Sequence, residues 1–397
     1  MTRSHTAAAG TDHRALLADS VSDFAARGTD IARVRRLRGT DGEYDRAVWK
    51  KMAELGWLGI LVPEKHGGLG LGLAEMAIVA RGLARALVPE PLTATAVLAA
   101  TALAAGENEA LKREELPRLV SGDSLPALAW QEEAGVLDPF ATRTRAVPFE
   151  GGFRLSGVKR FIPGAAQADA FLVSAQADSG LVLLWLPRDT AGARLEQEHL
   201  ADGRSFGTLT LRDALVPKGR VVAGGAAAAE ALARAFDHGS AIAAAELAGV
   251  MDRALEMTLD YLRTRVQFGK PIGAFQALQH RAVDLYIHKE LANAVLDEAL
   301  ALLDRAPDAA ARAALASRVK ARCADAALKI TRETIQLHGA IGFTDEYDAG
   351  LYLKRALTLS AWLGHPNWHR RRYARLTAGA SDEVTRRMNV ERGRMTR

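Results

Sequence analysis

The twenty residues from Tyr261 to His280, YLRTRVQFGKPIGAFQALQH, constrain this chain more than any other stretch, because they interrupt a strongly helical background. Upstream, Leu232, Phe236, Ala243, Leu247, Val250, Leu255 and Leu259 fall near three-and-four spacing, which predicts one long helix from Ala226 to Arg265. A second helix is expected from Phe275. Between them stand Gly269, Pro271 and Gly273. Proline gives a helix no N–H and its ring clashes with the preceding turn, while glycine loses the most backbone entropy there. The segment therefore reads as a tight helix-to-helix loop. It presents Arg265, Gln267, Lys270, Gln276 and His280, donors suited to a phosphate or another polar ligand, or simply to solvent.

The flanking pattern divides the chain into three. Residues from about Arg14 to Leu119 read as helices with short breaks. Within them, Gly68, Gly70 and Gly72 follow a short apolar run, but the spacing is not Gly-x-Gly-x-x-Gly. Pro63 and Glu64 also interrupt the run, and no alternating strand and helix series follows. A dinucleotide fold is thus excluded in favour of a glycine loop joining two packed helices. From about Leu125 to Val222 the period shortens to two: Phe153–Gly157, Ala170–Ser174, Gly180–Leu186 and Gly207–Leu211 are β-rich and punctuated by Gly, Pro and Asp, as antiparallel strands are. Beyond Val222 four amphipathic stretches, near 226–265, 275–304, 309–337 and 346–376, predict a bundle. The expected fold is α+β: an N-terminal all-α domain (1–124), a middle antiparallel β domain of barrel or sandwich type (125–223) and a C-terminal four-helix bundle (224–397).

Composition narrows the functional classes. With 397 residues, 49% hydrophobic and 25% charged, the chain reads as an ordinary soluble protein with a substantial core. The net charge of +5 is spread among alternating Arg and Asp/Glu, favouring an anionic ligand or a generic basic surface over a nucleic-acid groove. A single cysteine, Cys323, excludes an internal disulfide framework and a cysteine-based metal cluster. Met1–His13 lacks the apolar core of a secretory signal, and Glu230, Arg234 and Asp237 break the longest apolar run, so no membrane span and a cytoplasmic location are expected. The basic tail from Arg386 to Arg397 reads as a solvated end.

The pattern Arg265-x-Gln-Phe-Gly-Lys-Pro-Ile-x-x-Phe-Gln-x-x-Gln-His280 resembles the signature of the acyl-CoA dehydrogenase family, FAD enzymes that oxidise the α,β bond of acyl thioesters. The resemblance extends from Trp49 to about Leu376. Gly56-Trp-x-Gly-Ile60 with Pro63-Glu-x-x-Gly-Gly68 is similar to the family's first domain, and Gly151–Ile162 and Arg212–Pro217 to its middle domain. Gln336-Leu-His-Gly-Ala-Ile-Gly-Phe343 is similar to its second glycine loop, with Ala340 in place of a glycine. The resemblance implies FAD contacts from Arg265, Phe268 and Gln276 to a neighbouring subunit, and from Gln336, His338, Gly339 and Ala340. It also implies Gln131 and Phe161 on the flavin side, and Asp237 near the pantetheine arm of the substrate. Glu346 and Tyr347 form an acid-aromatic pair like the family's; by residue chemistry alone, Gly339 is a helix C-cap, Asp237 a solvated carboxylate, and Glu346 a charge at a helix N-terminus. The implied partners are an acyl-CoA, an electron-transfer flavoprotein, and a second copy or a homologous subunit; no metal is implied.

Three departures stand out. The family's Thr-Glu-Pro followed by Ala-Gly-Ser-Asp is here Gln131-Glu-Glu-Ala-Gly-Val-Leu-Asp138, one residue shorter and without hydroxyls. Pro163 stands where a Thr or Ser commonly bonds the flavin, and proline supplies no side-chain donor. The glutamate that removes the α proton is also missing: its usual position is Leu363, and its alternative position on the preceding helix is Gly239. A positioned base contributes on the order of 10²–10⁴ in rate. The vacancy leaves a subunit of a heteromeric enzyme, a substitute base such as His365 or His238, a flavin-dependent monooxygenase on the same fold, or a non-catalytic helical scaffold.

Overall fold

Helices, then strands, then helices follow one another in the order the periodicity predicts. The computed structural model describes residues 4–28, 31–38 and 44–378, so the basic tail from Arg386 lies outside the described residues. The first group comprises α1 (Ser4–Gly28), α2 (Ile31–Leu37), α3 (Arg46–Glu54), α4 (Leu73–Arg85), a π-helix (Thr93–Ala99) running directly into α5 (Ala100–Ala104), and α6 (Glu109–Val120). Their ends are fixed by side chains. Asp45 accepts the Ala47 N–H at the start of α3, and Asp304, far away in sequence, accepts the N–H groups of Leu73 and Ala74 at the start of α4. The glycine loop before α4 packs chain on chain: a Cβ at Gly68 would collide with the Val62 carbonyl, while Leu69 and Leu71 donate to the Gly59 and Ile60 carbonyls.

The middle of the chain forms one eight-stranded sheet: β1 (Pro126–Ala129), β2 (Arg145–Phe149), β3 (Gly152–Pro163), β4 (Ala170–Ala177), β5 (Gly180–Pro187), β6 (Ala193–His199), β7 (Ser205–Pro217) and β8 (Val221–Gly224). The order is β6-β7-β3-β2-β4-β5-β8, with β1 beside β4. Most pairings are antiparallel as expected, but β4 runs parallel to both β1 and β2. The reason is connectivity: between β2 and β4 the chain reverses twice through β3, and two reversals restore the original direction. Along β7 burial alternates, with Leu209 and Leu211 inward. The edge strand β6 carries Arg194, Glu196 and Glu198, charges that discourage pairing with another sheet.

The last group is α7 (Gly225–Thr264), a two-stranded hairpin of β9 (Val266–Gln267) and β10 (Lys270–Pro271), α8 (Gln276–Leu303), α9 (Ala309–His338), α10 (Ala349–Ala361) and α11 (366–378). α7 is buried along most of its length because it is rich in small residues; Gly249 lies where a Cβ would meet the Arg81 carbonyl of α4. The single helix expected over 346–376 is in fact two. At the break, Leu363 has φ +57° and Gly364 φ +110°, both of opposite sign to the right-handed helix. The carbonyls freed there accept hydrogen bonds from buried side chains: Lys320 Nζ donates to Gly364 O (3.1 Å) and Ser360 O (3.4 Å), and His369 Nε2 to Leu363 O (2.9 Å). Among the described residues, no helix is long and apolar enough to cross a membrane.

Candidate functional site

The central segment is a hairpin rather than a plain loop. Lys270 pairs with Gln267, and the two corner residues, Phe268 (φ +53°) and Gly269 (φ +79°), are both left-handed, the requirement of a type I′ turn. Glycine meets it without strain, whereas a phenylalanine there costs about 1–2 kcal/mol. The residue is nevertheless 91% exposed, its ring perpendicular to that of Phe275 with centroids 6.1 Å apart, and Lys270 Nζ sits over the Phe275 ring at 4.4 Å. Arg265 and Gln276, at the two ends of the hairpin, are also exposed and have no side-chain hydrogen-bond partner among the described residues.

The second loop follows the same plan. α9 ends at His338, Gly339 (φ +64°) caps it, and a 3₁₀ turn runs from Gly339 to Phe343. Gln336, Gly339 and Ala340 are exposed, as is the ring of Phe343. His338 departs from the expectation of a cofactor contact. It is buried, its Nδ1 lies 2.7 Å from the Thr334 carbonyl and its Nε2 2.9 Å from the Tyr347 hydroxyl. A carbonyl only accepts, so Nδ1 carries the proton and Nε2 accepts from Tyr347; burial lowers the pKa and keeps the ring neutral. Tyr261, one turn before the hairpin, packs 4.4 Å from the His338 ring. His338 thus ties the bases of the two loops together from inside, because both of its nitrogens are engaged there. Tyr347 is part of that tie, while Glu346 is exposed.

The two positions at which the resemblance places a base, Gly239 and Leu363, meet. A Cβ added to Gly239 would overlap Leu98 Cδ2 and stand 3.2 Å from Leu363 Cδ1. Leu98 and Leu363 are 1% and 2% exposed, so side chains from α7 and from the α10–α11 break converge on one point that is filled with aliphatic carbon. Neither substitute base fits this point. His365 Nδ1 accepts the Trp368 N–H at the start of α11 (3.3 Å), so it acts as a cap. His238 faces a separate cavity with Thr101 and Leu303, and burial with the nearby Arg312 and Arg234 pushes it down to about 4. Asp237 is neither a solvated carboxylate nor open to a pantetheine arm. It is 1% exposed and clamped by Arg372 (2.7 Å) and Arg312 (3.1 Å), because the face of α7 that carries it packs against α9 and α11.

On the sheet, Phe161 (φ +56°) sits at a bulge of β3 with its ring edge-on to Phe206. Pro163, two residues on, lines a narrow cavity with Phe206, Trp362, Thr93 and Glu246. The cavity is about 40 Å³, room for a few water molecules rather than an acyl chain. Gln131 Nε2 donates to the Glu133 carbonyl of its own loop. Glu132 turns inward to the buried Lys159, whose Nζ also reaches Thr142 Oγ1, Ser174 Oγ and the Trp130 carbonyl.

Sequence reasoning missed Leu98, Glu246 and Trp362. A leucine in an alanine-rich run reads as ordinary core, and a π-helix leaves no periodic trace; only the proximity of π-helices to functional sites, once the structure is seen, draws attention to it.

As a host for FAD the chain is uneven. The hairpin and the Gln336–Ala340 turn offer an exposed guanidinium, two amides, an aromatic face and exposed backbone around a glycine, donors that match a dinucleotide. Pro163 itself offers no side-chain donor. Among the described residues no cluster of three metal-ligating side chains occurs.

Comparison with known proteins agrees with this arrangement. Residues 11–123 match the family model for the acyl-CoA dehydrogenase N-terminal domain and residues 229–377 that for the C-terminal domain. The chain is 31% identical over 348 residues to acyl-CoA dehydrogenase IpdE2 of Mycobacterium tuberculosis, covering 87% of this chain and 91% of that one. Among solved structures it resembles the Tcur3481–Tcur3483 steroid ACAD (TM-score 0.84, 29% identity, 94% of this chain and 99% of that one). It also resembles the ChsE4–ChsE5 complex from Mycobacterium tuberculosis (TM-score 0.84, 28% identity, 92% and 97%). By these matches, its three-part fold and its two donor loops, the chain belongs to the acyl-CoA dehydrogenase family, FAD-linked oxidoreductases that act on the CH–CH bond of acyl-CoA thioesters.

Proposed function

We propose that this chain is the base-lacking subunit of a heteromeric acyl-CoA dehydrogenase. It extends Arg265, Phe268 and Gln276 of the hairpin, with the Gln336–Ala340 turn, to an FAD seated on a homologous partner subunit, and that partner carries the glutamate. The observation behind the reading is a contrast within one chain: both base positions end in the Gly239–Leu98–Leu363 contact, while the donor loops stand exposed and unpartnered among the described residues.

Removal of the α proton needs an acceptor whose pKa lies near neutrality, and aliphatic carbon offers none. When bound, FAD supplies the acceptor for the hydride that leaves the β carbon. The residues of this chain bind and orient. Arg265 matches a pyrophosphate by charge and geometry, Phe268 presents a flat ring for stacking, and the exposed backbone at Gly339 and Ala340 gives a close approach with N–H donors.

Two further observations support a subunit contact. The hairpin leads into α8, whose outer face exposes Val283, Tyr286, Ile287 and Leu291 at helical spacing, an apolar stripe that a partner helix would cover. Two of the similar solved structures are named for pairs of chains. The assembled enzyme acts on an acyl-CoA and passes its electrons to an electron-transfer flavoprotein.

The test is expression of the chain alone and with a homologous chain that retains the glutamate. Alone, it is expected to carry little flavin and to leave an artificial electron acceptor unreduced across a panel of acyl-CoAs; together, the pair holds flavin and turns over. In the pair, Arg265→Ala is expected to weaken FAD binding by roughly 10- to 100-fold, the worth of a charge-assisted hydrogen bond. Brisk turnover by the pure homo-oligomer overturns the reading.

A further inference from the structure

We infer that Leu98 is a plug: with Leu363 it closes an acyl channel in this chain's own cleft, so that the subunit admits no acyl thioester of its own. The inference rests on the reading above that the chain performs no turnover alone, and adds to it a residue and a ligand class.

The π-helix and α5 run antiparallel along α7. Thr93 Oγ1 donates to Glu246 Oε1 at one end (2.5 Å), Leu98 meets Gly239 in the middle, and Thr101 shares a cavity with His238 at the other end. Two cavities therefore lie between the same elements. One is bounded by Thr93, Glu246 and Trp362, the other by Thr101, His238 and Leu303. On each of the three converging segments the plug residue sits between or beside the lining residues: Leu98 between Thr93 and Thr101, Gly239 between His238 and Glu246, Leu363 next to Trp362. Leu98 and Leu363 are fully enclosed and Gly239 contributes no side chain, while Thr95 and Ser240 on the same two segments carry the buried hydroxyls of this stretch.

The position of Leu98 depends on the π-helix. Seven residues from Thr93 to Ala99 adopt the wider turn, which shifts the following side chains relative to an α-helical continuation. Truncating Leu98 is expected to open an apolar neck beside Leu363 and the Gly239 backbone, running from one cavity toward the other. A slot of that chemistry accepts a saturated alkyl tail and rejects a charged one.

The experiment is isothermal titration of the purified full chain with octanoyl-CoA, alongside Leu98→Ala and the milder Leu98→Val, each confirmed as folded by its melting transition. The wild-type chain is expected to show no saturable heat. Leu98→Ala should gain saturable binding at least ~10-fold tighter than the wild-type limit, with Leu98→Val in between. If Leu98→Ala fails to fold, Leu98→Val decides the matter by the same criterion. Affinity unchanged by truncation, or a wild-type chain that already binds octanoyl-CoA without turning it over, overturns the plug and leaves the base-lacking reading intact. Reduction of an artificial acceptor by the wild-type chain alone overturns that reading instead.

Discussion

A methyl group at Gly239 would overlap Leu98 Cδ2 and press on Leu363 Cδ1. Alanine is ordinarily favoured over glycine inside a helix by about 1 kcal/mol, but overpacking of a closed core costs about 1–3 kcal/mol, and in this enclosed contact the second term governs. Gly239→Ala is therefore expected to destabilise the chain in urea unfolding. In a Leu98→Ala background the overlap vanishes, so the same substitution becomes neutral or stabilising, and the cycle should report about 2 kcal/mol of coupling. Additive single effects would mean that the two side chains do not meet. The counting that located Gly239 and Leu363 needed only the motif at Arg265 and the Lys354–His365 run. That the two positions coincide in space, and that Leu98 fills the point where they meet, depends on contacts between three segments distant in sequence.

Among the elements, β3 is held to its neighbours by a buried ion pair whose partners come from a loop and a strand. Lys159 is fully buried, and burial pushes it down to about 8, while Lys159 and the hydroxyls of Thr142 and Thr144 hold Glu132 down to about 2. Replacing one partner leaves the other charge without compensation, so Lys159→Met is expected to cost about 3–5 kcal/mol by denaturant unfolding, with much of the loss recovered in Lys159→Met/Glu132→Gln. Equal destabilisation by the single and double variants would contradict the pairing. Four of the eight strands in the sheet, β3, β4, β5 and β7, contain segments that period-two alternation marks out. β1, β2, β6 and β8 do not stand out, because they are short or carry charged edge positions that mimic a loop. The division of the last helix at Leu363 is illegible for a related reason: its signal is a left-handed leucine stabilised by Lys320 and His369, and no local propensity calls for one.

At the scale of the whole molecule, folding lowers the pKa of several histidines, His238, His338 and His369 among them. Burial, reinforced by Arg312 and Arg234, lowers His238 to about 4; burial also lowers His338, and takes His369 well below its usual range. In the unfolded chain each titrates near 6.5. Below that value the unfolded state binds more protons at these groups than the folded one, so their contribution to stability is full above about pH 6.5 and falls as the pH drops toward 4. His238 alone accounts for up to about 3 kcal/mol of that loss. His238→Gln is expected to flatten the dependence of the melting temperature on pH across this window; an unchanged slope would show that His238 titrates normally. By itself, the sequence determined the order of helical and sheet regions, the resemblance to the family, the donors around Arg265 and the identity of Gly239 and Leu363 as residues without a carboxylate. These follow from periodicity and residue identity, which are local or carried by fixed spacing. Only the tertiary structure decided that Asp237 is locked between two arginines, that His338 faces inward, and that Gly239 and Leu363 meet at a point filled by Leu98, because each depends on which distant side chain packing brings within a few ångströms.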